Sequence, residues 1–149
     1  MHLKQKAHAH FCTTAQNNIL SIQQTLAELK DSSTNETKST AGDKHETALA
    51  MLQIEQAKNR AQLHNAKQQL QTLTQIKAIA YNASVIQGSL VHTTLGYFYI
   101  STALGKAVIE NILVFAISTE SPLGKKLLGL QVQNNFVINN SKATVIAIW

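Results

Sequence analysis

Two carboxylates three residues apart, Asp43 and Glu46, stand in the stretch Ala41-Gly42-Asp43-Lys44-His45-Glu46-Thr47-Ala48. On a helix that spacing projects both acids from one side of a turn, as a catalytic pair would require. The same spacing is also a capping box, in which Asp43 accepts a bond from the amide at Glu46 and Glu46 reaches back. These eight residues by themselves leave both readings open. His8 and Cys12, four apart, could share a metal ion on one helix face. His10 falls on another face, and no further ligand stands near in sequence. His45, beside the acids, reads as a solvated side chain that phosphate or metal could also meet, whereas His64 and His92 have no recognisable partner. No Ser-His-Asp set, phosphate-binding loop or dinucleotide fingerprint occurs.

The elements that position the acids are legible in the spacing of apolar residues. Cys12, Ala15, Ile19, Ile22, Leu26 and Leu29 recur in alternating steps of three and four, the seam of a coiled coil. Leu49, Leu52, Gln56, Asn59, Leu63, Ala66, Leu70 and Leu73 repeat it. Pairing Leu29 with Leu49, Leu26 with Leu52, and so on to Cys12 with Ala66 keeps the sum of partner numbers constant. That is the rule for an antiparallel hairpin, and it puts the reversal near Ser39. Asp31 to Thr40 is rich in Ser, Thr and Asn, so the first helix is expected to loosen there. Gly42 then permits the turn and Asp43 restarts the helix. Gln56 and Asn59 interrupt the seam, a device that costs stability but can fix register. Periodicity alone equally allows a helical dimerisation arm.

The chain of 149 residues is 44% hydrophobic and 14% charged, so it is not disordered by composition. Its net charge of +5 is uneven. Residues 1–56 carry five Lys against six Asp and Glu, while residues 57–149 carry eight Lys and Arg against Glu110 and Glu120 alone. A basic second half points to an acidic partner, either nucleic acid or an acidic protein surface. The single cysteine excludes an internal disulfide and fits a reducing compartment. Lys4 and Lys6 precede no apolar stretch, so no secretory signal is read, and the run from Ile112 to Ile117 is far below the ~20 residues of a membrane helix. A cytoplasmic protein without a membrane partner is expected.

Beyond Gly88 the composition changes. Leu90 to Thr93, Tyr97 to Ser101, Ile112 to Ser118, Asn135 to Asn139 and Ala143 to Ile148 are β-branched or aromatic and read as strands. Ser121 before Pro122 is an N-cap followed by proline at the first helical position. Leu123, Leu127 and Leu128 give that short helix an apolar face, and Gly129 stops it. The expected fold class is α+β: an antiparallel coiled-coil hairpin over 1–76 with its acidic tip near 42–47, a linker over 77–87, and a small antiparallel sheet domain with one short helix over 88–149.

Three motifs together resemble the GreA/GreB family of bacterial transcript cleavage factors. Ile117-Ser118 through Ser121-Pro122-Leu123-Gly124-Lys125-Lys126-Leu127-Leu128-Gly129 is similar to the Ser-Pro-Leu-Gly-Arg-Ala-Leu-Leu-Gly segment of the family's FKBP-like C-terminal domain. Gly42-Asp43-Lys44-His45-Glu46-Thr47-Ala48 resembles its Gly-Asp-x-x-Glu-Asn-Ala tip, and Gly88-Ser89-Leu90-Val91 matches the opening of its sheet domain. Order and spacing agree over essentially the whole chain. The resemblance implies a monomeric elongation factor that binds RNA polymerase, with the C-terminal domain at the rim of the secondary channel and the coiled coil inside it. Ser121, Pro122, Leu123, Gly124, Lys125 and Lys126 would then belong to the polymerase-binding region. Asp43 and Glu46 would help hold a Mg²⁺ shared with the polymerase active site, where the 3′ end of backtracked RNA is cleaved. Such a protein is not an enzyme alone. Carboxylate oxygens suit that hard ion, and in a two-metal site one ion activates the nucleophile while the other stabilises the leaving oxygen.

The sequence also departs from the family. Thr47 stands for Asn, Leu49 and Ala50 replace a Glu-Tyr pair, and Ile54 occupies the place of an Arg. Lys58 and Arg60 are the substitute candidates for RNA contact. These departures motivate an alternative, a channel-binding regulator or inhibitor that does not promote cleavage. A third reading, an FKBP-like peptide-binding or prolyl isomerase module, rests on fold resemblance only.

Overall fold

A computed structural model describes the backbone over residues 2–37 and 43–149, and the side chains of these residues apart from 36, 37 and 43–45. The order of elements is α1 (His2–Thr37), α2 (Asp43–Gln75), β1 (Leu90–Thr93), β2 (Gly96–Ser101), β3 (Gly105–Ile109), β4 (Ile112–Ser118), α3 (Pro122–Leu127), β5 (Asn135–Ile138) and β6 (Ser141–Ile148). The two long helices form a hairpin. The chain divides into two compact units, residues 15–68 and residues 1–14 with 69–149.

In the first of these units the predicted seam is where burial falls. Ala15, Asn59 and Ala66 are buried, and Ile19, Ile22, Leu26, Leu29, Leu49, Leu52, Gln56 and Leu63 are partly buried among mostly exposed neighbours. Asn59, 6% exposed, is satisfied inside its own helix: its amide donates to the Glu55 carbonyl at 2.9 Å and to the Glu55 carboxylate at 3.3 Å. The expected loosening from Asp31 onward does not occur over the described part, because α1 stays helical to Thr37. Polar β-branched residues are accommodated by bonding back along the helix; Thr34 Oγ1 donates to the Lys30 carbonyl at 3.0 Å, as Thr25 does to Ser21. The reversal expected near Ser39 lies outside the described residues.

The second unit is built on a six-stranded sheet of order β3-β4-β2-β1-β6-β5. Four of its neighbouring pairs are antiparallel, but β2 and β4 run parallel, with Tyr97 opposite Val114 and Ser101 opposite Ser118. The sheet is otherwise antiparallel, as expected; the one parallel pair arises because β3 was not foreseen. β3 forms a hairpin with β4 at the sheet edge, so the chain leaves β2, skips one place and returns beside it in the same direction. The β3–β4 turn is Glu110-Asn111, both at positive φ, as a two-residue hairpin turn requires. Asn139-Asn140 makes the corresponding turn between β5 and β6.

One sheet face holds the main core, in which Val91, Phe98, Ile100, Phe136, Val145 and Ile148 pack with Leu127 of α3. Alternation along β2 sends Tyr99 to the other face, where Phe11 of α1 stacks on it at 6.1 Å between ring centroids. The stretch 77–87, read as a linker, also contributes to the core. Val85 is buried, its N–H donates to the Leu130 carbonyl at 2.8 Å, and its carbonyl accepts from Gly129 at 2.8 Å.

Candidate functional site

The hairpin end is defined by where two helices stop and start. α1 ends at Thr37 and α2 begins at Asp43, so Asp43 and Glu46 occupy the first turn of α2, three positions apart. Glu46 and Thr47 are exposed. The side chains of Asp43, Lys44 and His45 lie outside the described residues. An exposed carboxylate in the first turn of a helix is stabilised by the positive end of the helix dipole. It is also accessible to an external ion. Among the described residues no group of three or more His, Cys, Asp or Glu is assembled to hold a metal.

Lys58 and Arg60 lie 12 and 14 positions beyond Glu46, roughly 18 and 21 Å along the helix. Both are exposed, but two residues apart they point to nearly opposite sides of α2. Arg60 lines a groove with Leu26, Lys30, Ser33 and Gln56. The structure therefore does not bring Lys58 and Arg60 onto one face. Ile54, at the position of the family's Arg, is 69% exposed.

The Ser121–Lys126 segment separates into supporting and exposed residues. Ser121 caps α3: its Oγ accepts from the Gly124 N–H at 3.0 Å and donates to the Ser118 carbonyl at 2.7 Å. Gly124 is buried, and a Cβ there would overlap the Ser118 carbonyl oxygen and crowd Ser121 Oγ. Leu123 packs against the core. Pro122, Lys125 and Lys126 are exposed. The two lysines sit in the last turn of α3, where cations also complement the helix carbonyls. Leu128, expected on the apolar face, instead points outward at 38% exposure, because the chain leaves helical geometry at that residue.

The His8–Cys12 pair has a structural use. His8 Nδ1 lies 2.6 Å from the Tyr99 hydroxyl, and His8 Nε2 lies 3.5 Å from Cys12 Sγ. Both ring nitrogens are thus engaged, and His10 stacks edge-on against Phe11 away from them. Burial, with the nearby positive charge of Lys4, holds His8 below its ordinary range, and burial pushes the Cys12 thiol up. Burial raises Tyr99 well above a free phenol. All three are neutral near pH 7, so neither the thiol nor the phenol is poised as a nucleophile. Sequence reasoning did not find Tyr99 or Lys4 in this cluster, since Tyr99 is 91 positions from His8.

Among the described residues no helix is long and apolar enough to cross a membrane. No family model matches the chain. No curated protein matches it either. Among solved structures, the transcription factor Gfh1 is similar at 17% identity and a TM-score of 0.33, over 88% of this chain and 92% of that one.

Proposed function

We propose that this protein is a transcription elongation factor that enters the secondary channel of RNA polymerase and stimulates cleavage of the 3′ end of backtracked RNA. The observation that carries the reading is the Asp-x-x-Glu pair, Asp43 and Glu46, in the first turn of α2. Its support is the resemblance of that motif and of Ser121-Pro122-Leu123-Gly124 to the cleavage-factor family, on a hairpin followed by a sheet domain. Asp43 and Glu46 bind from one side of a helical turn and lend carboxylate oxygens to the polymerase site, so this chain is not an enzyme alone. Mg²⁺ held there would stabilise the charge that develops when water attacks the RNA phosphodiester. Pro122, Lys125 and Lys126 are the exposed members of the region assigned to the polymerase rim. Ser121, Leu123 and Gly124 act by shaping α3. The protein works as a monomer in the cytoplasm.

The exposed Ile54 favours a second reading, a regulator that occupies the channel and inhibits elongation without promoting cleavage. An isoleucine supplies no phosphate contact where the family has a guanidinium. The prolyl isomerase reading rests on fold resemblance alone. The test is a stalled, backtracked complex of the cognate polymerase to which the protein is added. Short 3′ RNA fragments released above the polymerase's own rate support cleavage stimulation. Slowed elongation with no fragments supports the inhibitor.

A further inference from the structure

Away from the hairpin end, one ammonium group is buried without a counter-charge. Lys4, in the first turn of α1, is 2% exposed. Its Nζ donates to the Ala80 carbonyl at 2.6 Å, which engages one of three N–H groups. Among the described residues the ion pairs join Glu110 to His2 and Lys6 and leave Lys4 without a carboxylate. The nearby ionisable group that senses its charge, His8, is itself a base. Burying an ammonium against a single carbonyl is costly unless further hydrogen bonds or an opposite charge complete it.

A cavity of about 330 Å³ lies beside this group. Its wall includes Lys4, Lys77, Gln75, Gln87, Asn82 and Ile76, and no acidic residue contributes. That is two cations, three amide side chains and an apolar surface, at a volume in the lower part of the small-molecule range of ~300–1,000 Å³. The wall is closely built. Gly88 has φ +97°, and a Cβ there would meet Ile76 Cγ2 at 2.7 Å. We propose that this cavity binds a small organic anion, with its phosphate or carboxylate on the Lys4 ammonium and its apolar part against Ile76. The ligand would join the start of α1 to the segment that follows α2. The site is independent of the polymerase reading and stands or falls without it.

The test uses the full chain, isotope-labelled, titrated with phenyl phosphate and followed by amide chemical shifts. Saturable shifts at Ala80, Asn82, Gln87 and Gly88 are expected, with none from phenol, which has the ring but not the charge. Lys4→Met keeps the packing stem and should weaken affinity at least about tenfold, the scale of one charge-assisted bond. If Lys4→Met does not fold, Asn82→Leu, which narrows the cavity, should weaken binding comparably. Parallel titrations with benzoate and inorganic phosphate tell which charged group is preferred. Shifts that never saturate, that appear equally with phenol, or that centre on Lys125 and Lys126 overturn the proposal. So does unchanged affinity in the folded Lys4→Met protein, or in Asn82→Leu where the first variant is unavailable as a folded chain.

Discussion

His8 and Gly124 show how much of the molecule depends on single side chains. His8 is held below its usual value near 6.5 by burial and by Lys4. The folded state therefore takes up fewer protons than the unfolded chain once pH falls below that value, and stability is lost as pH drops through the folded-state pKa. The facing groups, Lys4, Tyr99 and Cys12, offer no compensating negative charge in this range. His8→Gln should flatten the fall in denaturation free energy between pH 7 and pH 5; an unchanged slope would assign the acid sensitivity elsewhere. Gly124→Ala should destabilise the sheet unit by about 3 kcal/mol, as overpacking against a backbone carbonyl does. Ser121→Ala should cost about 1 kcal/mol, the loss of an N-cap. Both are checked by denaturant midpoints. Ser121 was legible as a cap from Ser-Pro alone. The need for Gly124 was not, because it comes from the close approach of Ser118, which is a tertiary fact. Lys4 was equally hidden, since a lysine near an N-terminus reads as solvated until the chain around Ala80 covers it.

Among the elements, the hairpin seam was written plainly in steps of three and four, and burial follows it. Local propensity misled at the end of α1, where Ser, Thr and Asn suggested unwinding but the helix continues to Thr37 with Thr34 bonded back to the Lys30 carbonyl. β3 went unread for a different reason. Gly105-Lys106-Ala107-Val108-Ile109 is an edge strand with exposed Lys106 and Val108, so it lacks the apolar signal of a buried strand. Its turn uses Glu110 at positive φ, an uncommon choice. Missing that edge strand hid the parallel β2–β4 pair. The Asn59 seam position gives a prediction at this scale. Asn59→Leu removes a buried amide satisfied only within its own helix and extends the apolar seam. It should stabilise the hairpin by about 1 kcal/mol, seen as a higher unfolding midpoint; a lower midpoint would mean that the amide fixes the packing.

For the whole molecule, the order of parts matters more than any one motif: an acidic first turn in α2, then a sheet unit whose α3 exposes Pro122, Lys125 and Lys126. The acids were legible in sequence as a pair, but not which of two uses they serve, because a capping box and a metal-binding pair share the same spacing. A charge-neutral, near-isosteric substitution separates the two. Asn caps a helix about as well as Asp, so Asp43→Asn with Glu46→Gln should cost only the charge–dipole contribution of each acid, about 0.3–1 kcal/mol apiece, and leave the chain folded. The same pair of changes removes the anionic ligands that a hard cation needs. The decisive measurement is release of short 3′ RNA fragments from a backtracked polymerase complex by the wild-type chain and by this double variant. Fragment release by the wild type is expected, with a loss of about 100-fold or more in the folded variant, the scale of a removed transition-state charge contact. No fragments from the wild type, or undiminished release by the variant, would contradict the cleavage reading.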